Sequence, residues 1–478
     1  MQHILKVSKA MQLQTALISP HQQLKPKLQK LALLEAEHPL KLRLREALRD
    51  LRQPKLRYAG SHTLVAVPLP TGKTHHLFIS HVWGTAQDQA RVLRSRLESV
   101  VPGLRVWLDV EDLTDISALE EAVDSSWTLL ILVTAGYFQS KNCMRELVRC
   151  VATNTPRIAV VERDAAHGGL TEAEARQQCV AAGAKFASWG FDANGPSADA
   201  LADALLGTRG AGDATVGTSL ASGKPGVAND GAPIVYERIG VFQQPMLRMI
   251  VQRLVGSREI YLPGELRVSR RPGALAPPVR THHIWCSRHN PGALEVVNEL
   301  KHAGGYEGRL LVTEEPGAMA EADHVLLYLS LATWKHDTDD TGDRKTALTA
   351  EIKEALQAGR KLLLLHENDE EKGGVQQFGH FFGADQTPGE LLGLKIYAEI
   401  AIGMKAPPYR TVSLGLFDQA VRAGSTGRRT RRNRAGDAAP QGQQAPADLA
   451  ARRWMQVLAT PRGHGRGRAS STARGAPS

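Results

Sequence analysis

The 478-residue sequence contains only four cysteines, Cys143, Cys150, Cys179 and Cys286. So few cysteines in a chain of this length exclude a disulfide-held scaffold and indicate a reducing compartment. No CxxC pair or Cys/His cluster has the spacing of a zinc site, so we predict no bound metal and no required cofactor. No apolar run approaches the ~18 residues that cross a bilayer, so no membrane span is expected.

Basic residues are in excess, but the excess lies at the two ends of the chain. Lys and Arg number 59 against 49 Asp and Glu, which gives a net charge of +10. Residues 421–478 hold 12 basic and 2 acidic side chains, and residues 1–60 hold 12 and 4. The segment between them is therefore mildly acidic, which argues against a nucleic-acid-binding domain. Any nucleic-acid contact is expected from the tail, where residues 428–434 also resemble a nuclear localisation signal.

The two ends are predicted to differ in structure. In residues 1–60, Leu40, Leu44, Leu48 and Leu51 recur at helical spacing, which predicts a basic amphipathic helical arm. This arm could pack on the following domain or lie on a membrane surface. Residues 421–478 are rich in Arg, Gly, Ala and Pro, so this tail is predicted to be disordered.

Between the ends, strand and helix patterns alternate twice, over residues 74–256 and residues 281–419. In the first pass the predicted strands are 76–80, 105–109, 128–134, 157–161 and 233–237, and the helices include 86–100, 119–125, 144–153 and 246–255. Such alternation predicts a doubly wound parallel sheet. Gly- and Ala-rich residues 207–232 read as a flexible insertion, and 270–280 as a linker.

The second pass repeats the order of the first. Residues 74–80 (THHLFIS) match residues 281–287 (THHIWCS) at an offset of 207, and Glu146 matches Glu351 at an offset of 205. A nearly constant offset indicates a duplicated domain. We therefore expect two flavodoxin-like α/β domains, the second a degenerate copy of the first.

Two motifs that could carry chemistry are set aside. Residues 71–74 (TGKT) resemble the end of a phosphate-binding loop, but the required upstream glycine is missing and a strand follows where a helix is needed. The pairs His75-His76 and His282-His283 open predicted strands, where neighbouring side chains point to opposite faces and cannot chelate one metal well.

Acidic residues follow two of the predicted strands. Glu146 lies near the start of the helix that follows strand 128–134, and Asp109 begins an acidic cluster after the second strand. Ligands of doubly wound sheets bind beyond the carboxyl ends of the strands, so both residues are candidates for a site. The alternatives are that Glu146 complements the helix dipole and that Asp109 belongs to a solvated loop.

Several segments together resemble a Toll/interleukin-1 receptor (TIR) domain. They are FIS at 78–80, WLD at 107–109, AVDSS at 122–126 and AGYFQSKNCMREL at 135–147. The resemblance implies a flavodoxin-like fold and homotypic association with other TIR domains, with residues 110–117 in the place of the loop that mediates contacts.

Some members of the family hydrolyse NAD with a glutamate in the place of Glu146. The resemblance therefore implies Glu146 as a candidate catalytic carboxylate, NAD as a candidate substrate, and Phe78, Ser80, Trp83 and Asp109 as candidate residues of its binding site. The principal hypothesis is a cytoplasmic adaptor or scaffold that signals by TIR–TIR assembly. The alternative is an NAD glycohydrolase that releases nicotinamide.

Overall fold

The computed structural model describes residues 54–108, 119–207, 232–270, 275–336, 338–339, 342–383 and 385–434. The first domain contains the elements from Arg57 to Tyr261. In chain order they are β1 (Arg57–Tyr58), β2 (His75–Ser80), α1 (Trp83–Val100), β3 (Val106–Trp107), α2 (Leu119–Ser125), β4 (Ser126–Val133), α3 (Lys141–Ala152), β5 (Arg157–Val161), α4 (Glu172–Ala182), α5 (Phe186–Trp189), α6 (Ala198–Leu206), β6 (Ile234–Val235), α7 (Gly240–Val255) and β7 (Ile260–Tyr261).

The second domain contains the elements from His282 onward. They are β8 (His282–Cys286), α8 (Ala293–Gly304), β9 (Val312–Thr313), β10 (Ala322–Leu329), β11 (Thr338–Asp339), β12 (Gly342–Asp343), α9 (Arg344–Gln357), β13 (Leu362–Glu367), α10 (Gly389–Gly393), β14 (Ile402–Met404) and α11 (Arg410–Arg434).

Each domain is built on a five-stranded sheet in which all neighbouring strands are parallel. The order is β3-β2-β4-β5-β6 in the first sheet and β9-β8-β10-β13-β14 in the second. Counted along each domain, both orders are 2-1-3-4-5, the flavodoxin-like arrangement. The predicted fold class, two doubly wound α/β domains, is confirmed.

Alternating side chains of β2 divide the first domain into two apolar layers. Leu77 and Ile79 join the layer that α1 and α7 cover, whereas Phe78 joins the layer beneath α2, α3, α4 and α6. All eight residues of the central strand β4 are buried, because helices cover both faces. Because β2 and β4 are parallel neighbours, their carboxyl ends meet at one rim of the sheet. Ser80 lies at this rim, and Glu146 follows β4 in the chain.

The two ends of the chain differ in how far the structure describes them. Three predicted segments lie mostly outside the described residues: residues 1–53 of the arm, residues 208–231 of the insertion, and residues 435–478 of the tail. Disorder is predicted from residue 421, but α11 continues to Arg434. It begins inside a core, where Val412 and Phe417 are 1% and 0% exposed, and Val421 is still buried at 1%. Among the described residues, no helix is long and apolar enough to cross a membrane.

A buried histidine makes the stability of the second domain depend on pH. His366 of β13 is 7% exposed and lies between the rings of Phe378 and Phe381, with centroids 5.3 and 5.4 Å away. Burial lowers the pKa of His366 from 6.5 to about 4. The unfolded chain therefore takes up a proton at higher pH than the folded chain does, so stability is complete above pH 6.5 and falls as the pH drops toward 4.

We expect His366 to account for a loss of about 3 kcal/mol in the free energy of unfolding between pH 7 and pH 4. Urea denaturation at several pH values measures this loss. The matched variant is His366→Leu, because it keeps an apolar side chain among the phenylalanines but cannot titrate. Its stability should decline less steeply with acid than that of the wild type; equal slopes would contradict the assignment.

Candidate functional site

Glu146 lies on α3, at the carboxyl rim of the first sheet. The helix begins at Lys141 because the Ser140 side chain accepts a hydrogen bond from the Cys143 amide and caps it. This start is three residues earlier than predicted, so Glu146 lies in the second turn and is only 3% exposed. A helix dipole acts mainly within the first turn, so it does not account for a carboxylate at this depth.

Two hydroxyl groups form a chain of hydrogen bonds that ends on the Glu146 carboxylate. The Ser80 hydroxyl, at the end of β2, donates to Oε2 of Glu146. The Tyr137 hydroxyl lies 2.6 Å from Oγ of Ser80 and donates to it, because the single Ser80 proton points at the carboxylate. Burial, followed by the nearby Cys143 and Glu146, raises the pKa of Tyr137 well above 10, so the phenol keeps its proton. The site therefore contains a chain of hydrogen bonds from Tyr137 through Ser80 to Glu146.

The other predicted site residues occupy different surroundings. Trp83 begins α1, three residues after Ser80, and its side chain is 54% exposed. Phe78 is fully buried and stacks on Trp107 with ring centroids 4.3 Å apart, so it supports the rim from within the core. Asp109 and the contact loop 110–117 lie outside the described residues.

Residues of the two motifs that were set aside as unable to carry chemistry form hydrogen bonds with the backbone. Lys73 Nζ donates to the Asp124 carbonyl at 2.6 Å. His76 uses both ring nitrogens: Nε2 donates to the Val67 carbonyl and Nδ1 accepts from the Arg105 amide, each at 2.9 Å. Burial lowers the pKa of His76, which is consistent with a neutral ring that joins two backbone segments. Among the described residues, no group of three or more His, Cys, Asp or Glu could hold a metal ion.

A second buried carboxylate lies on the same rim and was not predicted from the sequence. Glu162 follows β5, is 2% exposed, and pairs with Nη2 of Arg238 at 2.6 Å. It also accepts the Asp164 amide at 2.9 Å, which shapes the loop after the strand. No spacing rule links Glu162 to Arg238, 76 residues away; only the adjacency of β5 and β6 brings them together.

The second domain has a related but more open arrangement at its own rim. The Ser287 hydroxyl, just after β8, donates to Oε2 of Glu351 on α9. Oε1 of Glu351 lies 3.0 Å from Nδ1 of His289, and both of these side chains are 19% exposed. The carboxylate and its serine donor are therefore both retained, and the His289 imidazole is paired with the second carboxylate oxygen.

Comparison with known proteins finds similarities over parts of the chain. Residues 77–185 match the family model described as the TIR domain. One similar solved structure is a metazoan TIR-STING receptor from C. gigas, at 19% identity over 20% of this chain and 33% of that chain, with a TM-score of 0.18. Another is the TIR domain of the Toll-related receptor TRR-2 from Hydra magnipapillata, at 14% identity over 18% of this chain and 70% of that chain, with a TM-score of 0.17. No curated protein matches.

The matched residues include β2 from Leu77 to the rim residue Ser80, and the whole of α3 with Glu146. The predicted TIR-like character of the second domain stays a prediction. Over residues 77–185, the first domain matches the TIR-domain family, and the resemblance predicted from its motifs is confirmed there.

Proposed function

We propose that this protein acts in signal transduction through homotypic association of its TIR domain, as an adaptor or scaffold. The observation that carries the proposal is the match of residues 77–185 to the TIR-domain family model, a stretch that includes β4, α3 and β5 of the first domain. The resemblance to this family implies homotypic association. In this association the domain binds other TIR domains through its outer surface, and residues 110–117 are the proposed contact loop.

Sedimentation velocity over a wide range of protein concentration tests this proposal. We expect reversible association of the wild-type chain and its loss in Ile116→Arg, which places a charge in the proposed contact loop. The matched control is Val92→Arg, because Val92 is 44% exposed on α1 and is not one of the residues of that loop. A monomeric wild type at every concentration, or equal association in both variants, would refute the proposal.

The second candidate function is hydrolysis of NAD, with Glu146 as the catalytic carboxylate. A buried carboxylate with a hydroxyl donor at the carboxyl rim of a doubly wound sheet favours it, as does the exposed indole of Trp83 nearby in the chain. Nicotinamide departs as a neutral molecule, so a general acid is not needed. One carboxylate beside the ribose can stabilise the oxocarbenium-like transition state.

Incubating the purified chain with NAD and measuring nicotinamide release separates the two candidates. If the enzyme hypothesis holds, Glu146→Gln should lower the rate by about 100-fold or more, because the replacement keeps the shape but removes the charge. Glu351→Gln in the second domain is the control and should leave the rate unchanged. The absence of release by the wild type at high protein concentration would remove this candidate.

A further inference from the structure

The two histidine pairs that open β2 and β8 form the same contacts in both domains. The second histidine of each pair is buried: His76 is 4% exposed and His283 is 0% exposed. Nε2 of His283 donates to the Ala276 carbonyl at 2.9 Å, and Nδ1 accepts a hydrogen bond from the Leu311 amide at 3.1 Å. His76 binds the two corresponding segments of the first domain, with both distances at 2.9 Å. In each domain this ring joins the first strand of the parallel sheet to two other backbone segments.

The amide that each ring accepts belongs to the residue directly before an edge strand. Arg105 precedes β3 and Leu311 precedes β9, and each of these strands has only two residues. The Arg105 carbonyl accepts a hydrogen bond from the His76 amide at 2.9 Å. The Leu311 carbonyl accepts one from the His283 amide at 2.8 Å. Each histidine therefore holds one residue of the neighbouring segment twice, through its backbone amide and through its ring.

These contacts require a neutral imidazole. A backbone carbonyl can only accept and a backbone amide can only donate, so Nε2 carries the proton and Nδ1 carries a lone pair. A second proton would sit on Nδ1 and oppose the amide hydrogen, so the bond to the residue before the edge strand would be lost. The bond from Nε2 would remain, because a protonated ring still donates to a carbonyl. Protonation therefore removes one of the two contacts and keeps the other.

The surroundings of His76 keep its ring neutral at pH 7. Burial lowers the pKa of His76 below its ordinary value of 6.5. The charged and titratable neighbours of the ring are Arg105 and His75, and a positive charge on either of them lowers this pKa as well. The bond from the Arg105 amide is therefore fully formed above pH 6.5, and it is lost as the pH falls through the lowered pKa of the folded chain.

The ring of His283 has different neighbours but the same response to acid. Burial lowers the pKa of His283, and His282 acts in the same direction, whereas Asp323 opposes both. The third titratable neighbour is His324 of β10, whose own pKa is also lowered by burial, so it is neutral at pH 7. His283 is consequently neutral at pH 7 and, like His76, takes up its proton below pH 6.5.

We propose that His76 and His283 form an acid-sensitive switch, in which protonation of each ring releases the residue before an edge strand, β3 in one domain and β9 in the other. The rest of each sheet stays in place, because β2 and β8 also pair with the long central strands β4 and β10. The released part is the amino end of a strand that keeps two backbone pairs. This switch depends neither on the proposed TIR–TIR association nor on NAD hydrolysis.

Hydrogen–deuterium exchange of the full chain, resolved to single amides, tests the proposal from about pH 7.5 to about pH 4.5. Each rate is divided by that of an unfolded peptide at the same pH, so that the intrinsic effect of pH is removed. We expect the protection of the Arg105 and Leu311 amides to fall by about 3- to 10-fold in acid, the effect of losing one hydrogen bond. The amide of Leu130, in the middle of β4, should keep its protection, because the loss is local.

Two substitutions of His76 separate the roles of its two nitrogens. His76→Asn keeps an acceptor near the position of Nδ1 but cannot titrate, so the Arg105 amide should stay protected in acid. His76→Gln keeps a donor that can reach the Val67 carbonyl but lacks that acceptor, so protection of Arg105 should be low at every pH. In both variants Leu311 should respond to acid as in the wild type, and a protected Leu130 shows that the first domain is folded.

The same comparison is made in the second domain with His283→Asn and His283→Gln, where Arg105 is the unaltered reference. Two results would overturn the proposal. One is a wild-type chain in which Arg105 and Leu311 keep their protection down to the pH at which Leu130 also loses it. The other is a loss of Arg105 protection in His76→Asn that follows the same pH dependence as in the wild type.

Discussion

Replacing Arg410 with methionine is expected to lower the free energy of unfolding by about 3–5 kcal/mol. Nη1 of Arg410 contacts both oxygens of Glu367, at 2.9 and 2.8 Å, and Glu367 is 0% exposed. Nε and Nη2 bind the two oxygens of Glu299, at 2.8 and 3.1 Å. Methionine fills the space but provides no charge, so Glu367 stays buried with its counter-ion removed.

Chemical denaturation of the wild type and Arg410→Met measures the effect. Arg145→Met is the matched control, because Arg145 also binds a carboxylate through two nitrogens, reaching Glu120 at 2.8 and 2.6 Å. Those side chains are 23% and 37% exposed, so solvent screens the pair and the expected cost is about 0–1 kcal/mol. Similar losses in both variants would show that burial does not decide the strength of these pairs.

Replacing Gly292 with alanine is expected to lower the free energy of unfolding by about 2–4 kcal/mol. Gly292 has φ of +85°, in the left-handed region that is costly for residues with a side chain. A Cβ atom there would lie 2.4 Å from Cε1 of Tyr328, so the ring would have to move. The Tyr328 hydroxyl donates to Glu367 at 2.7 Å, so this movement also disturbs the Arg410 pair.

Gly264→Ala is the control for the backbone contribution. Gly264 has φ of +84°, but a Cβ atom at this position would meet no other atom within 4 Å, so only the conformational cost of about 1–2 kcal/mol remains. Because Tyr328 links the two sites, the losses in Gly292→Ala and Arg410→Met should not add when combined. Equal effects at both glycines, or strict additivity of the pair, would contradict this account.

Periodicity is enough to predict the sheets but not every helix. The unbroken apolar run of β4 and the alternation around it predict a doubly wound domain, because a strand covered on both faces has that pattern. The helices α4 and α6 were not predicted. In α4 the buried positions are Ala175, Cys179 and Ala182, small residues whose hydrophobic contrast with their neighbours is weak. Such helices are stabilised by tertiary packing more than by local pattern.

The candidate site could be predicted only in part, because its contacts join distant segments. Glu146 was a candidate from its position after the central strand, and Ser80 was named through the family resemblance. The bond between them spans 66 residues and depends on the placement of α3 over β2, so it could not be predicted. Tyr137 was part of the quoted motif but was not assigned to the site. A tyrosine next to a positive-φ glycine, in the loop after the central strand, is the signal that could have indicated it.

The position of Tyr409 has a consequence for the energetics of the whole chain. Its ring is part of the first domain's core, although its backbone belongs to the second domain. Heat or denaturant that melts β14 and the start of α11 therefore also opens the layer over α7. The two domains share one cooperative unit at this point, so calorimetry on the intact chain reports the stability of the pair rather than two independent melting transitions.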